Sequence, residues 1–175
     1  MMRKFFILVA SLAVLSACSG RSLGNKIDDQ FIAPAVTTAI KEAHVDLNRP
    51  TSIISLTSYN GIVLLVGQTP TAELKQRAMT AAQQIEGVKK VHNEITVEEP
   101  VTGLIRSNDA LLTSKVKARL VGDANVPASK VKVITENGVV YLLGIVDRNQ
   151  AKYITEAVRH VGGVQKIVRL FEYVN

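Results

Sequence analysis

Three histidines, one cysteine and two carboxylate pairs are the side chains of this 175-residue chain best suited to chemistry. His44, His92 and His160 lie far apart, and none stands at metal-ligand spacing to another histidine or to cysteine. His92 falls on the polar side of a strand pattern and His160 near the end of a helical one, so each reads as solvated surface. Asp28-Asp29 and Glu98-Glu99 could supply an acid and a base. Both pairs sit in segments without periodicity and read as solvated tether and linker. The glycines fall at turns and helix ends, and no phosphate-cradling loop is present. No Ser/His/Asp or Cys/His set stands out. The pattern therefore assigns no catalytic residue, no metal ligand and no cofactor.

Cys18 remains, and its position gives it a different chemistry. Arg3 and Lys4 open the chain, and the apolar run "FFILVASLAVL" follows from Phe5 to Leu15. That run is short of the roughly 20 residues that cross a bilayer. A basic start, a short apolar stretch and small residues before a cut form a secretory signal peptide. The stretch "LSAC", Leu15 to Cys18, resembles the bacterial lipobox. The resemblance implies that the thiol, nucleophilic as thiolate, receives a diacylglyceryl group. Cleavage before Cys18 would follow, with an acyl chain added to the new amine. Several chains anchor a protein stably where one holds it only marginally. Ser19, not Asp, follows the cysteine. By resemblance to lipoprotein sorting rules, this implies the periplasmic face of the outer membrane. An ordinary signal peptide ending near a cysteine is the plainer alternative.

Cleavage would leave 158 residues and lower the formal charge from +6 to +4. That length holds one domain or two small ones. Residues 19–30, "SGRSLGNKIDDQ", read as a flexible tether. Twelve extended residues reach about 40 Å, which would keep the folded part close to a membrane.

The rest of the chain is one unit written twice. "YNGIVLLVGQTP", from Tyr59, aligns without a gap on "ENGVVYLLGIVD", from Glu136. "EGVKKV" and "GGVQKI" follow at nearly the same distance. Each copy opens with an amphipathic helix whose stripe is Ile32, Val36 and Ile40, or Leu112, Val116 and Leu120. An alternating strand carries Ile54 and Leu56, or Val131 and Val133. Asn60-Gly61 and Asn137-Gly138 then fit two-residue type I′ turns. The apolar runs Ile62–Val66 and Val139–Leu143 suit a central strand covered on both faces. A second helix carries Ala78, Ala81, Ala82 and Ile85, or Ile154, Ala157, Val158 and Val161. Gly87 and Gly163 are expected to end it as C′ glycines. A last strand carries Val91, Ile95 and Val97, or Ile167, Phe171 and Tyr173. The order is αββαβ, an α+β unit of two helices on a three-stranded mixed sheet.

Charge separates the copies. Residues 28–99 hold 6 Lys/Arg against 9 Asp/Glu, whereas residues 100–175 hold 11 against 6. The basic copy is the better match for an acidic ligand. Its first helix, "LLTSKVKARLV", turns Leu111, Ser114, Lys115, Lys117, Ala118 and Val121 away from the stripe, with Arg119 at the margin. A mixed apolar and basic face suits a membrane interface. It also suits ordinary solvated surface, where scattered apolar residues are normal. The outward face of the first copy, Thr37, Thr38, Lys41 and Glu42, reads as plain surface.

The helix, the Asn-Gly hairpin, the "VxLxG" strand end and the closing "GVxxV" resemble the BON domain, the bacterial module of osmotically induced and nodulation proteins. Two such domains behind a lipobox resemble the division- and outer-membrane-stress-associated lipid-binding lipoproteins. The resemblance implies two tandem BON domains: signal peptide 1–17, lipidated tether 18–27, first domain 28–98, linker 99–107 and second domain 108–175. It implies a non-enzymatic protein with no cofactor beyond the diacylglycerol and acyl chain on Cys18. It implies that the first helix of the second domain binds anionic phospholipid, and that the protein supports outer-membrane integrity. In this family a Trp is expected where Leu111 stands, and leucine gives weaker interfacial anchoring. The rival reading is a periplasmic adaptor docking envelope-assembly or cell-wall-remodelling proteins at division. Export and a 5% aromatic content argue against nucleic acid.

Overall fold

A computed structural model describes residues 23–100 and 103–174, with side chains from Asp29 onward. Cys18 and the signal segment lie outside the described residues. Each half of the chain builds the expected αββαβ unit. The first contains α1 (Leu23–Ala43), β1 (Ile53–Tyr59), β2 (Ile62–Thr69), α2 (Ala72–Gln83) and β3 (Lys90–Val97). The second contains α3 (Gly103–Val121), β4 (Val131–Glu136), β5 (Val139–Val146), α4 (Arg148–Arg159) and β6 (Lys166–Tyr173).

The Asn-Gly pairs make the hairpins. Asn60 and Gly61 have φ of 56° and 78°, and Asn137 and Gly138 have 48° and 74°. Two successive left-handed residues form the turn whose twist matches the strands. They set Tyr59 opposite Ile62 and Glu136 opposite Val139. The crossover through α2 or α4 returns the third strand parallel to the second. Thr71 caps α2 by accepting the Leu74 N–H at 3.2 Å, and Asp147 with Gln150 forms a capping box on α4.

Four boundaries differ from the sequence reading. Helix α1 already runs from Leu23, so residues 23–27 are helical where a flexible tether was expected. Helix α3 begins at Gly103, inside the expected linker. Adding a residue to a formed helix is cheap compared with nucleating one, so packed stripes extend into segments without apolar periodicity. Helices α2 and α4 end at Gln83 and Arg159, with Gln84 and His160 as C-caps. Gly87 and Gly163, at φ of 85° and 102°, shape the turn beyond rather than the helix end.

Asp29 is the main correction. Read as solvated tether, it is buried, and its carboxylate accepts from Ser58 Oγ and from the backbone N–H groups of Asn60 and Gly61 at 2.6–3.0 Å. Asp109 does the same in the second unit, accepting from Asn137 N at 2.8 Å and Gly138 N at 2.9 Å. Each carboxylate fastens the first helix to its own hairpin. Its signal was a shared Asp three residues before the stripe in both copies, before Ile32 and before Leu112. Asp109→Ala would strip two part-buried N–H groups of a charged acceptor. Urea denaturation should show about 3 kcal/mol of lost stability, and Asp29→Ala a similar loss; an unchanged midpoint would contradict the clamp.

The two units pack sheet against sheet. Inward residues of β2, Val63 and Leu65, join α1 and α2 in one core, and Val140, Leu142 and Val146 of β5 join α3 and α4 in another. The alternate residues, Leu64 and Val66 with Tyr141 and Leu143, meet between the sheets together with Tyr59 and Leu170. This is why all eight residues of β2 are buried. Polar groups border the contact. Tyr59 Oη donates to the Lys130 carbonyl at 3.0 Å, Asn60 Nδ2 to Glu172 at 2.8 Å, and Gln68 Nε2 to Glu136 at 2.8 Å. The side of β3 carrying His92 and Glu94 was read as solvated, but it turns toward this contact and both residues are half-buried. Burial, with Lys90 nearby, lowers the His92 pKa against the opposing pull of Glu94.

Burial lifts the Glu136 carboxyl above its usual pKa, the Gln68 hydrogen bond opposes the shift, and Asp109 and Glu98 add to it while Arg106 opposes. A raised carboxyl favours the folded state below the ordinary glutamate value, near 4.3, and that contribution fades as pH rises through the folded value. Glu136→Gln keeps an acceptor for Gln68 without the charge. Its melting temperature should exceed the wild type's at pH 7 and converge on it toward pH 4. A constant difference across that range would rule out this proton linkage.

Candidate functional site

Helix α3 buries Leu112, Val116 and Leu120 against the second core. Everything the sequence assigned to its other side is exposed: Leu111, Ser114, Lys115, Lys117, Ala118, Arg119 and Val121. Leu111 is 61% and Val121 76% exposed, so the structure brings these residues together on one surface. At 100° per residue, Ser114 and Ala118 run along the centre, Leu111 and Val121 lie beside them, and Lys115 and Lys117 take opposite flanks. Lysines flanking an apolar strip can extend their charge sideways while their stems cover apolar surface.

The structure distinguishes the three cations. Lys115 borders a groove with Asn108, Leu111 and the Gly162-Gly163 turn. Lys117 borders a cleft toward the first unit, with Ser55, Thr57 and Thr135. Arg119 lies 3.6 Å from the Asp123 carboxylate, one turn on. Lys115 and Lys117 have no acidic partner among the described residues, so their charge is available.

Two residues of this surface type were missed. Leu104 is 72% exposed, one heptad before Leu111, and was lost to the expected linker. The spacing Leu104–Leu111–Ala118 was the available signal. In the first unit, Phe31 occupies the position of Leu111 and is 70% exposed, so that face is not the plain polar surface expected. Its neighbours Pro34, Ala35 and Thr38 are exposed and uncharged, and Lys41 is the only cation at the positions matching the seven of α3. The helices share an exposed apolar residue and differ in charge.

The remaining chemistry stays dispersed. His44 Nδ1 accepts from Asp46 N at 3.1 Å, closing a local turn, and His160 Nδ1 meets the Glu156 carbonyl at 2.9 Å within α4. Among the described residues, no group of three or more His, Cys, Asp or Glu is placed to hold a metal ion. No helix among them is long and apolar enough to cross a membrane.

The sequence matches the BON domain over residues 28–99 and again over 108–175. It is 36% identical over 166 residues to the outer membrane lipoprotein DolP of Haemophilus influenzae, covering 94% of this chain and 84% of that protein. It is 36% identical to the 21 kDa hemolysin of Actinobacillus pleuropneumoniae, covering 88% of this chain and 78% of the other. Against the osmotically-inducible protein Y of Escherichia coli it is 32% identical, covering 85% and 74%.

Proposed function

This chain belongs to the BON-domain family, with two copies in tandem, and from that premise we propose that it is a non-enzymatic outer-membrane lipoprotein whose second domain binds anionic phospholipid. Cys18 carries the lipid anchor, α3 reads the membrane surface, and the pair supports outer-membrane integrity from the periplasmic side. One observation carries the reading: α3 exposes Leu111 and Val121 between two unpaired lysines. The apolar residues suit the headgroup boundary and the lysines its phosphates. Similarity to a protein described as an outer membrane lipoprotein supports the location.

Each cation near an anionic surface adds about 1 kcal/mol, so Lys115 and Lys117 alone make a weak contact. A tether raises the effective concentration to about the millimolar range, which makes a weak contact sufficient. Co-sedimentation of the soluble form with anionic and zwitterionic vesicles tests the reading. Binding to the first alone supports it, and binding to neither favours a protein-docking adaptor at the envelope.

The anchor has its own test. Cys18→Ala should leave an uncleaved precursor that takes up no palmitate analogue during growth. Equal labelling of variant and wild type would mean that Cys18 is not the acylated residue.

A further inference from the structure

Helix α1 has an exposed face of its own. Opposite its stripe of Ile32, Val36 and Ile40 stand Phe31, Pro34, Ala35 and Thr38, all exposed and none charged. An exposed phenylalanine is often ordinary surface, but two features of the chain bring a particular surface against this one.

The first is the length of the tether. Helix α1 is already formed at Leu23, five residues after Cys18, and five extended residues reach about 17 Å. A chain held at Cys18 keeps the start of α1 within that distance of the membrane. Phe31 lies about 12 Å further along the helix. The second is the order of layers. Val63 and Leu65 of β2 face α1 and α2, Val140 and Leu142 of β5 face α3 and α4, and the sheets meet through their other sides. Helices α1 and α3 therefore occupy opposite outer layers, and their exposed faces point away from each other. With layers about 10 Å apart, α3 lying flat on a membrane holds the axis of α1 about 35 Å above it. The tether from Cys18 to Leu23 does not span that height, but it lets α1 lie flat.

We propose that the outward face of α1 is a second membrane contact, in which Phe31 enters the boundary of an uncharged lipid surface, and that α1 and α3 take the membrane in turn rather than together. The inference rests on the lipid-anchored reading and adds orientation to it. Phe31 among small uncharged residues has apolar area to bury and no charge to match. Such a contact is too weak to recruit a free protein, and it forms because the anchor keeps the local concentration high. Anionic lipid draws Lys115 and Lys117 down instead. That turn needs more chain, and the helical residues ahead of the Asp29 clamp supply it. Unwound as far as Asp29, the chain from Cys18 reaches about 38 Å, and the clamped carboxylate marks where unwinding stops.

Cys18 supplies the test, because the chain has no other cysteine. The mature chain, made from Cys18 onward without acylation, can be coupled through that thiol to a maleimide lipid in vesicles, which restores the anchor point. Phe31→Trp reports on the α1 face in a chain that has no other tryptophan. The site is exposed, so the fold should be intact, which circular dichroism can verify. Coupled to phosphatidylcholine vesicles, Phe31→Trp should shift its emission to the blue and be quenched by brominated acyl chains, whereas the uncoupled protein should keep its aqueous emission. Coupled to phosphatidylglycerol vesicles, Phe31→Trp should return toward its aqueous position, and Leu111→Trp should shift instead. Aqueous emission from coupled Phe31→Trp on phosphatidylcholine would overturn the α1 contact, and a Leu111→Trp shift on phosphatidylglycerol would leave the lipid-binding function standing. Full quenching of both variants on phosphatidylglycerol would overturn the alternation. A Phe31→Trp shift on phosphatidylcholine, with Leu111→Trp aqueous on phosphatidylglycerol, would support the α1 contact and remove the α3 site.

Discussion

Gly67→Ala should unfold the first domain. Gly67 has φ of 117°, and a Cβ there would sit 2.0 Å from the carbonyl oxygen of Ile53. The atom in the way is backbone, so relief requires β1 itself to move. That strand carries Ile54 and Leu56 into the first core, and Gly67 pairs directly with Ile54. Left-handed strain contributes about 1–2 kcal/mol and overpacking about 1–3 kcal/mol. A unit of this size has about 4–10 kcal/mol in total, so a loss near 4 kcal/mol removes much or all of it. The matched Gly144 should tolerate alanine better. Its Cβ would lie 2.6 Å from the Lys130 carbonyl oxygen, but its φ is not left-handed. Gly162→Ala, in open space, is the control. Thermal melts in which Gly67→Ala and Gly162→Ala share a midpoint would show that the β1–β2 register is wrong.

The second large effect is on binding. Reversing Lys115 and Lys117 to glutamate changes four units of charge on the flanks of α3. At about 1 kcal/mol per unit near an anionic surface, the loss is about a thousandfold, enough to end detectable co-sedimentation. Both side chains stand clear of Leu112, Val116 and Leu120, so the domain should stay folded. Wild-type binding should weaken as salt rises, since screening acts over about 8 Å at physiological strength. Lys41→Glu, on the matching face of α1, should change little. A folded double variant that still pellets with anionic vesicles would move the site off α3.

The sequence made the architecture legible because its strongest signals are local. Asn-Gly turns set two hairpins, and the unbroken runs of β2 and β5 marked strands covered on both sides. What covers the second side was not legible, because Leu64, Val66, Tyr141 and Leu143 meet between the two sheets, and periodicity within a strand does not name its distant partner. The same contact half-buries His92, which the strand pattern alone placed on a solvated side. Asp29 and Asp109 were missed for a related reason: a carboxylate that holds a turn some thirty residues away looks like any surface acid. Leu104 and Phe31 escaped because they lie at or beyond the drawn edges of their helices. The seven positions of α3 were readable because a helical stripe fixes what lies opposite it. The groove at Gly162 required the fold, since it joins three separated segments.

The chain contains no tryptophan, so Leu111→Trp carries a single indole, selectively excitable over the tyrosines, on the exposed face of α3. With the soluble protein and phosphatidylglycerol vesicles, its emission should shift to the blue and be quenched by brominated acyl chains, as expected of an indole entering the headgroup boundary. The shift should vanish when Lys115 and Lys117 are also reversed. Emission that stays at its aqueous position on anionic vesicles, in a protein that pellets with them, would show that α3 does not contact the lipid.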